Sequence, residues 1–213
     1  MIPKSSVRLT QADPPMPTPL PMPAEDAEQW RSIYEENGLE TNIKVFIRQE
    51  AYAIMCVHAA VDLEEERGGM LSGKWHIDEE TGQEFIVIEH AIPAKYTRQG
   101  NVFLTFTQDS LVNFHNEIEK RYPSDQIVGW YHTHPKMGVF LSNYDTWLHS
   151  NFFPEPWQVA LVIEPQKNLG GVFIRQKDGF LDPAQYFGFF EMVDQQQLSI
   201  VNWENLSNHK DSD

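Results

Sequence analysis

Short apolar runs alternate with polar, turn-rich segments along most of the chain, and the runs differ in period. Seven runs rich in β-branched and aromatic residues predict strands: "NIKVFI", "MLSGKWHI", "EFIVIEHAI", "VFLTFT", "QIVGWYHTH", "QVALVIEP" and "GGVFIRQ". The second and third are separated by the turn-rich "DEETGQ", and the last two predict a hairpin. The aromatic "QYFGFFEMV" near the end is typical of core.

Three other segments have helical spacing. Tyr52, Met55, Cys56, Ala59 and Leu63 recur every three to four residues and predict one apolar helix face. "SLVNFHNEIEKRYP" predicts an amphipathic helix that ends before its proline, and "SNYDTWLHSNFF" predicts a short helix. Because strands and helices mix without strict alternation, the pattern favours the α+β class, a mixed β-sheet flanked by helices, over a Rossmann-type repeat.

The two ends of the chain differ from the middle. Residues 14–23, "PPMPTPLPMP", hold six prolines in ten positions, which predicts an extended segment without helix or sheet pairing. We therefore expect residues 1–27 to be a flexible tail, with a ligand for a proline-binding groove as the alternative. Residues 25–40 predict a short polar helix or turn. A single domain is expected over residues 28–200, followed by a polar tail, residues 201–213, that frays.

Composition narrows the classes of function. At 213 residues the chain suits one domain of ordinary size, and a net charge of −15 argues against nucleic acids and anionic membranes as main partners. That charge favours a partner with a basic face, or simply keeps the protein in solution. Cys56 is the only cysteine, which excludes an internal disulfide and a cysteine-based zinc finger. No signal peptide or apolar run near the ~18 residues of a membrane span is present, so the cytoplasm is the expected location.

A candidate metal site lies in "HTHPKMGVFLSNYD". His132 and His134 are two residues apart at a strand end, so both side chains project from one face of the sheet. Asp145 follows eleven residues after His134, in the expected first turn of a helix. Two imidazoles and one carboxylate leave a fourth tetrahedral position open, which is typical of hydrolytic zinc sites.

Each of these residues also has an ordinary structural interpretation. Ser142 and Asp145 are spaced as a helix-capping pair, and the two histidines could be hydrogen-bonded core residues. Taken singly, these interpretations are the better ones. Taken together they are not, because the whole spacing His-x-His-x7-Ser-x-x-Asp is rare by composition.

The spacing resembles the full motif of the JAMM, or MPN-plus, metalloproteases. That family also requires Glu-x-x-Gly-apolar-apolar-x-Gly upstream, and residues 66–73, "ERGGMLSG", fit it from Glu66. Glu65 fails, because Ser72 would then occupy the second glycine's place. The resemblance covers roughly residues 41 to 190 and implies the MPN (cytidine deaminase-like) architecture. The compact build is more similar to bacterial, eukaryote-like members of the family.

The resemblance implies a peptidase or isopeptidase that cuts after the C-terminal glycine of a ubiquitin-like protein. One zinc ion per chain would be held by His132, His134 and Asp145, with Glu66 as general base and Ser142 as donor to the oxyanion. Its partners would be a ubiquitin-like protein or its conjugates, and the enzymes of a conjugation system. Two alternatives remain open: a catalytically silent MPN scaffold, and a hydrolase of a small-molecule amide.

Further residues carry weaker expectations. Met137, Val139 and Phe140 make the loop between the ligands apolar, so they are candidates for substrate binding, with internal packing as the alternative. His149 lies four residues after Asp145 and could support the ligands, but a surface histidine is the favoured interpretation.

Overall fold

The computed structural model describes residues 15–94, 108–193 and 198–208. The strand predicted over 102–107 lies outside these residues. The strands are β1 Thr18–Pro19, β2 Ala27–Ser32, β3 Ile43–Arg48, β4 Gly68–Ile77, β5 Glu84–Pro93, β6 Gln126–Thr133, β7 Val159–Glu164, β8 Leu169–Phe173, β9 Phe189–Met192 and β10 Leu206–Asn208. The helices are α1 Ile33–Glu36, α2 Gln49–Ala59, α3 Gln108–Arg121 and α4 Asn143–Phe152.

The strands of the described part form one mixed sheet. Its order is β10-β2-β9-β3-β5-β4-β6-β7-β8, and β1 lies beside the last residues of β4. The pairs β3–β5, β3–β9, β6–β7 and β1–β4 are parallel, whereas the others are antiparallel. A mixed sheet with flanking helices is the α+β arrangement that the pattern predicted.

The centre of the sheet is covered on both faces, which explains the composition of its strands. All six residues of β7 are buried, as in a strand that meets packing partners on either side. Strand β6 shows the two layers: the Tyr131 hydroxyl is 2.9 Å from Nδ1 of His58 on α2, and Nε1 of Trp130 donates to Nδ1 of His149 on α4. Since neighbouring side chains of a strand point to opposite faces, α2 and α4 lie on opposite sides of β6.

Most elements follow the apolar pattern. Ala51, Tyr52, Met55 and Ala59 bury one face of α2, while Leu63 lies beyond its end and is exposed. Phe114 and Ile118 bury one face of α3. The predicted hairpin is β7–β8, and the two strands predicted on either side of the turn-rich segment, β4 and β5, also pair antiparallel. No helix in the described ranges is long and apolar enough to cross a membrane.

The expectation that the proline-rich segment does not pair is wrong at Thr18 and Pro19. These residues run parallel to His76 and Ile77, and the Leu20 amide donates to the Ile77 carbonyl at 3.0 Å. Pairing survives the prolines because an edge strand bonds through every second residue, so a missing N–H at the intervening positions costs nothing.

Two other predictions for the chain ends also need correction. Residues 27–32 form strand β2, which pairs with β9, where a helix or turn was expected, and only the following α1 is helical. The segment after residue 200 does not fray as far as residue 208, because β10 pairs with β2 and both Trp203 and Leu206 are buried.

Candidate metal centre

His132 and His134 meet Asp145 at the carboxyl end of β6. The two histidine Nε2 atoms are 2.9 Å apart. Oδ1 of Asp145 lies 3.3 Å from Nε2 of His132, and Oδ2 lies 3.5 Å from Nε2 of His134. Each residue therefore offers one possible ligand atom, and these three atoms all lie within 4.8 Å of one another.

These separations fit a zinc ion. Nitrogen and oxygen ligands bind zinc at about 2.0–2.1 Å, so neighbouring tetrahedral ligands are about 3.3 Å apart. The observed separations of 2.9, 3.3 and 3.5 Å bracket that value. Two nitrogens and one oxygen are also the donor types that zinc takes in catalytic sites, with a fourth position left for water or substrate.

The site is buried, which affects the charge of its members. Relative exposures are 0% for His132, 2% for His134 and 4% for Asp145. Burial opposes ionisation of Asp145, but its interactions with the two neighbouring histidines outweigh burial and hold the pKa of this carboxyl well below its ordinary value. Burial lowers the pKa of His132. An ionised carboxylate beside a neutral imidazole is the protonation state that binds a metal.

Asp145 reaches the histidines because α4 begins beside them. Ser142 is the N-cap: its Oγ accepts from the Asp145 amide at 3.1 Å, and Oδ2 of Asp145 accepts from the Ser142 amide at 2.7 Å. This reciprocal pair is a capping box. The chain turns back after His134 through Lys136 and Gly138, both at positive φ, and the Leu141 amide is anchored on the Pro183 carbonyl. The capping interpretation and the metal-site interpretation thus describe the same residues.

Glu66 lies two residues before β4, the strand that pairs with the strand carrying the histidines. The Arg67 amide donates to Oγ1 of Thr133 at 2.8 Å, the Thr133 amide donates to the Arg67 carbonyl at 2.7 Å, and Gly68 pairs with His132. Glu66 is therefore followed directly by a residue, Arg67, that is hydrogen-bonded to Thr133, and Thr133 lies between the two candidate histidine ligands. Its side chain is half-buried, whereas that of Glu65 is exposed.

The glycines of the Glu66 motif have a packing reason. A Cβ on Gly69 would lie 2.3 Å from the Ile92 carbonyl oxygen, and a Cβ on Gly73 would lie 1.9 Å from the Val87 carbonyl oxygen. Both positions need close approach of β4 and β5. The two glycines of the motif therefore allow β4, which follows Glu66, to pack closely against β5.

The three apolar loop candidates separate into two kinds. Met137 and Phe140 have relative exposures of 39% and 37%, and the ring centroids of Phe140 and His134 are 4.8 Å apart. Val139 is half-buried and packs against the main core. Met137 and Phe140 can therefore meet another molecule beside the site, and Val139 supports the loop.

The expectation of a surface location for His149 is wrong, because this residue is fully buried. Its Nδ1 accepts from Nε1 of Trp130 at 3.1 Å, and the Trp130 ring stacks on His132 with centroids 4.5 Å apart. Burial, and then the positive charge of Arg175, lower the pKa of His149 to about 3. Trp130 was missed from the sequence, although it lies two residues before His132 and hence on the same face of β6.

Comparison with known proteins shows which family the chain resembles. Residues 40–153 match the family model described as JAB1/Mov34/MPN/PAD-1 ubiquitin protease. COP9 signalosome complex subunit 5 of Candida albicans is 31% identical over 166 residues, which are 75% of this chain and 25% of that protein. The same subunit of Kluyveromyces lactis is 30% identical over 132 residues, 60% of this chain and 33% of that protein. The chain thus matches only a quarter to a third of the length of these relatives.

A solved structure has the same fold. The solution structure of a protein from Desulfitobacterium hafniense superposes with a TM-score of 0.50 at 21% identity, over 66% of this chain and 91% of that one. At this identity the likeness concerns the fold alone.

Proposed function

Because the chain belongs to the JAB1/Mov34/MPN/PAD-1 ubiquitin protease family, we propose that it is a zinc-dependent peptidase or isopeptidase. Its substrate would be a ubiquitin-like protein, cleaved after the C-terminal glycine. The observation that carries the proposal is the buried group of His132, His134 and Asp145, whose ligand atoms all lie within 4.8 Å of one another. These three residues, Glu66 and Ser142 all lie within the matched range, residues 40–153.

The three buried residues would hold one zinc ion through two imidazole nitrogens and one carboxylate oxygen. Bound zinc supplies a Lewis acid that polarises a carbonyl group and lowers the pKa of water to about 7. The chain's contribution is to keep the three ligands buried and close together, since β6 fixes both histidines and the capping box of α4 fixes Asp145.

Glu66 would act as general base and then as general acid. It takes a proton from the attacking water as the water oxygen bonds to the glycine carbonyl carbon, and it returns a proton to the amine as the C–N bond breaks. This role requires a carboxylate near the ligands but outside their set. The two hydrogen bonds between Arg67 and Thr133 support such a position for Glu66.

Ser142 would stabilise the oxyanion that forms on the glycine carbonyl. Its Oγ accepts one hydrogen bond from the Asp145 amide through a lone pair, so this capping bond does not use the hydroxyl proton. Loss of one such donor typically costs about 10²–10³ in kcat. The capping role and the catalytic role are therefore compatible in one side chain.

Substrate contacts would come from the exposed side chains of the loop between the ligands. Met137 and Phe140 offer apolar surface beside His134, which suits the aliphatic side chains of an extended C-terminal segment. The partner would be a ubiquitin-like protein or its conjugate, and the bond either a peptide or an isopeptide bond.

The decisive experiment is hydrolysis of a ubiquitin-like domain fused through its C-terminal glycine to a reporter. We expect zinc-dependent cleavage by the wild type, with loss after chelation and recovery with added zinc. Glu66→Gln should retain bound zinc and lose about 10²–10⁴ in rate. Glu65→Gln is the matched control, because this neighbouring carboxylate is exposed and should be dispensable.

The same assay separates the alternatives. Cleavage that persists both after chelation and in Glu66→Gln would refute the metalloprotease mechanism. Hydrolysis of small amides without cleavage of any fusion would favour a small-molecule hydrolase. Binding of a ubiquitin-like protein without hydrolysis of either substrate would favour a silent scaffold.

A further inference from the structure

Glu164 ends β7 beside His134. In the parallel pair β6–β7, His132 pairs with Val162, and the His134 amide donates to the Ile163 carbonyl at 2.8 Å. That bond continues the parallel ladder and makes Glu164 the cross-strand neighbour of His134. Paired residues project from the same face of a sheet, so Glu164 shares the face of the candidate metal ligands.

The carboxylate of Glu164 is buried and only half satisfied. The residue has no exposed surface. Its Oε1 accepts from the Gln166 amide at 2.9 Å, whereas Oε2 is buried without a hydrogen-bond partner in the described part of the structure. A buried carboxylate oxygen without a donor is costly, so a donor near this face is expected.

His134 presents the complementary atom. Its Nε2 faces His132 and Asp145, while its Nδ1 is buried and also lacks a partner among the described residues. His132 has an unpartnered Nδ1 as well, but its neighbours on the flanking strands are Val162 and Gly68, which carry no acceptor side chain. Of the two histidines, His134 is thus the one whose cross-strand neighbour carries a carboxylate.

We propose that Glu164 is a positioning residue for the metal site, accepting a hydrogen bond from Nδ1–H of His134 through one bridging water. This bond fixes the imidazole tautomer that carries its lone pair on Nε2, and the negative charge makes Nε2 a stronger ligand. Both unsatisfied buried atoms gain a partner in one step.

The turn after Glu164 also reaches the segment that carries Glu66. The Gln166 amide donates to Glu164, and its side-chain Nε2 donates to the Leu63 carbonyl at 2.9 Å. Glu164 therefore orders a turn that contacts the residues leading to Glu66. The Glu164 carboxylate thus supports both His134 and the segment that leads to Glu66.

The inference rests on the metal site within the proposed function, and its test does not depend on any substrate. Zinc affinity is measured by competition with a chromogenic chelator for the wild type, Glu164→Gln and Glu164→Leu. Outer hydrogen-bond partners of metal-bound histidines typically contribute about 10–100-fold in affinity. We expect a loss of about 10-fold for Glu164→Gln, which keeps an acceptor without the charge, and a larger loss for Glu164→Leu.

Glu191→Gln is the matched control. Glu191 is equally buried and accepts hydrogen bonds from Trp30 and Gln49, but three strands separate its strand β9 from β6. Its replacement should leave zinc affinity within about twofold of the wild type, although it weakens the fold. A general loss of stability would lower the affinity of this control as well.

A second readout is the histidine side-chain NMR spectrum of the zinc-bound protein. The wild type should show a slowly exchanging Nδ1–H on His134, and Glu164→Gln should shift it. Equal zinc affinities and an unchanged His134 signal in Glu164→Gln would overturn the inference, even if Glu164→Leu does not fold. Absence of zinc binding by the wild type would overturn the metal site and this inference together, whereas a wild type that binds zinc without cleaving fusions would contradict only the proposed substrate.

Discussion

Oδ2 of Asp145 accepts a hydrogen bond from the Ser142 amide at 2.7 Å while lying 3.5 Å from Nε2 of His134. One carboxylate thus starts a helix and completes a group of metal ligands. Its orientation is set by the backbone of α4, so the ligand is held in place before any metal binds. A segment of fourteen residues, 132 to 145, thus brings two imidazoles and one carboxylate together.

The two roles of Ser142 can be separated by substitution. Ser142→Ala removes both the cap and the hydroxyl donor, so it should lower the free energy of unfolding by about 1 kcal/mol and kcat by about 10²–10³. Ser142→Asp keeps an acceptor for the Asp145 amide but has no proton to donate. It should preserve most of the stability and still lose activity, as measured by urea unfolding and fusion cleavage.

Ser32 provides the control for capping alone. It forms the same reciprocal pair with Glu35 at the start of α1, away from the metal ligands. Ser32→Ala should cost a similar free energy of unfolding without a change in kcat. Equal loss of kcat in both alanine variants would argue that the cap, and not the hydroxyl donor, explains the effect of Ser142→Ala.

His149 should make the metal-free protein sensitive to acid. Its pKa is lowered from 6.5 to about 3 by burial and by Arg175, so between these values the unfolded chain binds a proton that the folded chain does not. Its contribution to the free energy of unfolding is therefore present above pH 6.5 and falls by up to about 1.4 kcal/mol per pH unit as the pH drops towards 3. His149→Gln, which can still accept from Trp130, should flatten the pH dependence measured by urea unfolding in chelator.

His115→Gln tests whether any histidine would give the same result. His115 is exposed on α3, so its replacement should leave the slope of stability against pH unchanged. Parallel curves for the wild type and His149→Gln would contradict the assignment of acid sensitivity to His149.

The parts of the molecule that the sequence predicts are those governed by local pattern. Apolar period predicts β4, β5, β7 and α2, and residue spacing predicts the grouping of His132, His134 and Asp145. In each case neighbouring residues along the chain carry the information. The three candidate ligands could be grouped from the sequence because they lie on β6 and α4, which follow one another among the described elements.

The parts that were missed depend on partners distant in sequence. Thr18 and Leu206 occupy strands because they pair with edges that β4 and β2 leave open. The polar or proline-rich sequence around these two residues does not itself predict such pairing. Burial of His149 depends on Trp130, and the position of Glu164 beside His134 depends on the β6–β7 register. Such contacts are set by the sheet as a whole.

Gly73 should tolerate no side chain. A Cβ there would lie 1.9 Å from the Val87 carbonyl oxygen, so Gly73→Ala must push β4 and β5 apart at the β4 bulge. We expect a loss of about 1–3 kcal/mol or more in the free energy of unfolding. Gly82→Ala is the control: its φ is +72° and a Cβ would meet nothing within 4 Å, so its cost should be limited to about 1–2 kcal/mol of backbone strain. Thermal melts that rank Gly82→Ala below Gly73→Ala in stability would contradict the close-approach argument.

Asp125 holds the other end of β6 and should affect stability without affecting the metal site. Its Oδ2 accepts from Oγ of Ser72 at 3.2 Å and lies 2.9 Å from Nδ1 of His90, and the carboxylate side chain is 4% exposed. Asp125→Ala would leave the fully buried Ser72 hydroxyl without this acceptor, which predicts a loss of about 1–3 kcal/mol in the free energy of unfolding. Asp26→Ala, at an exposed turn, should change it little. Asp125 precedes β6, whereas the candidate ligands lie at the far end of that strand. The zinc affinity of the folded Asp125→Ala protein should therefore match that of the wild type. A fall in zinc affinity alongside the loss of stability would contradict this and show that the two ends of β6 are coupled.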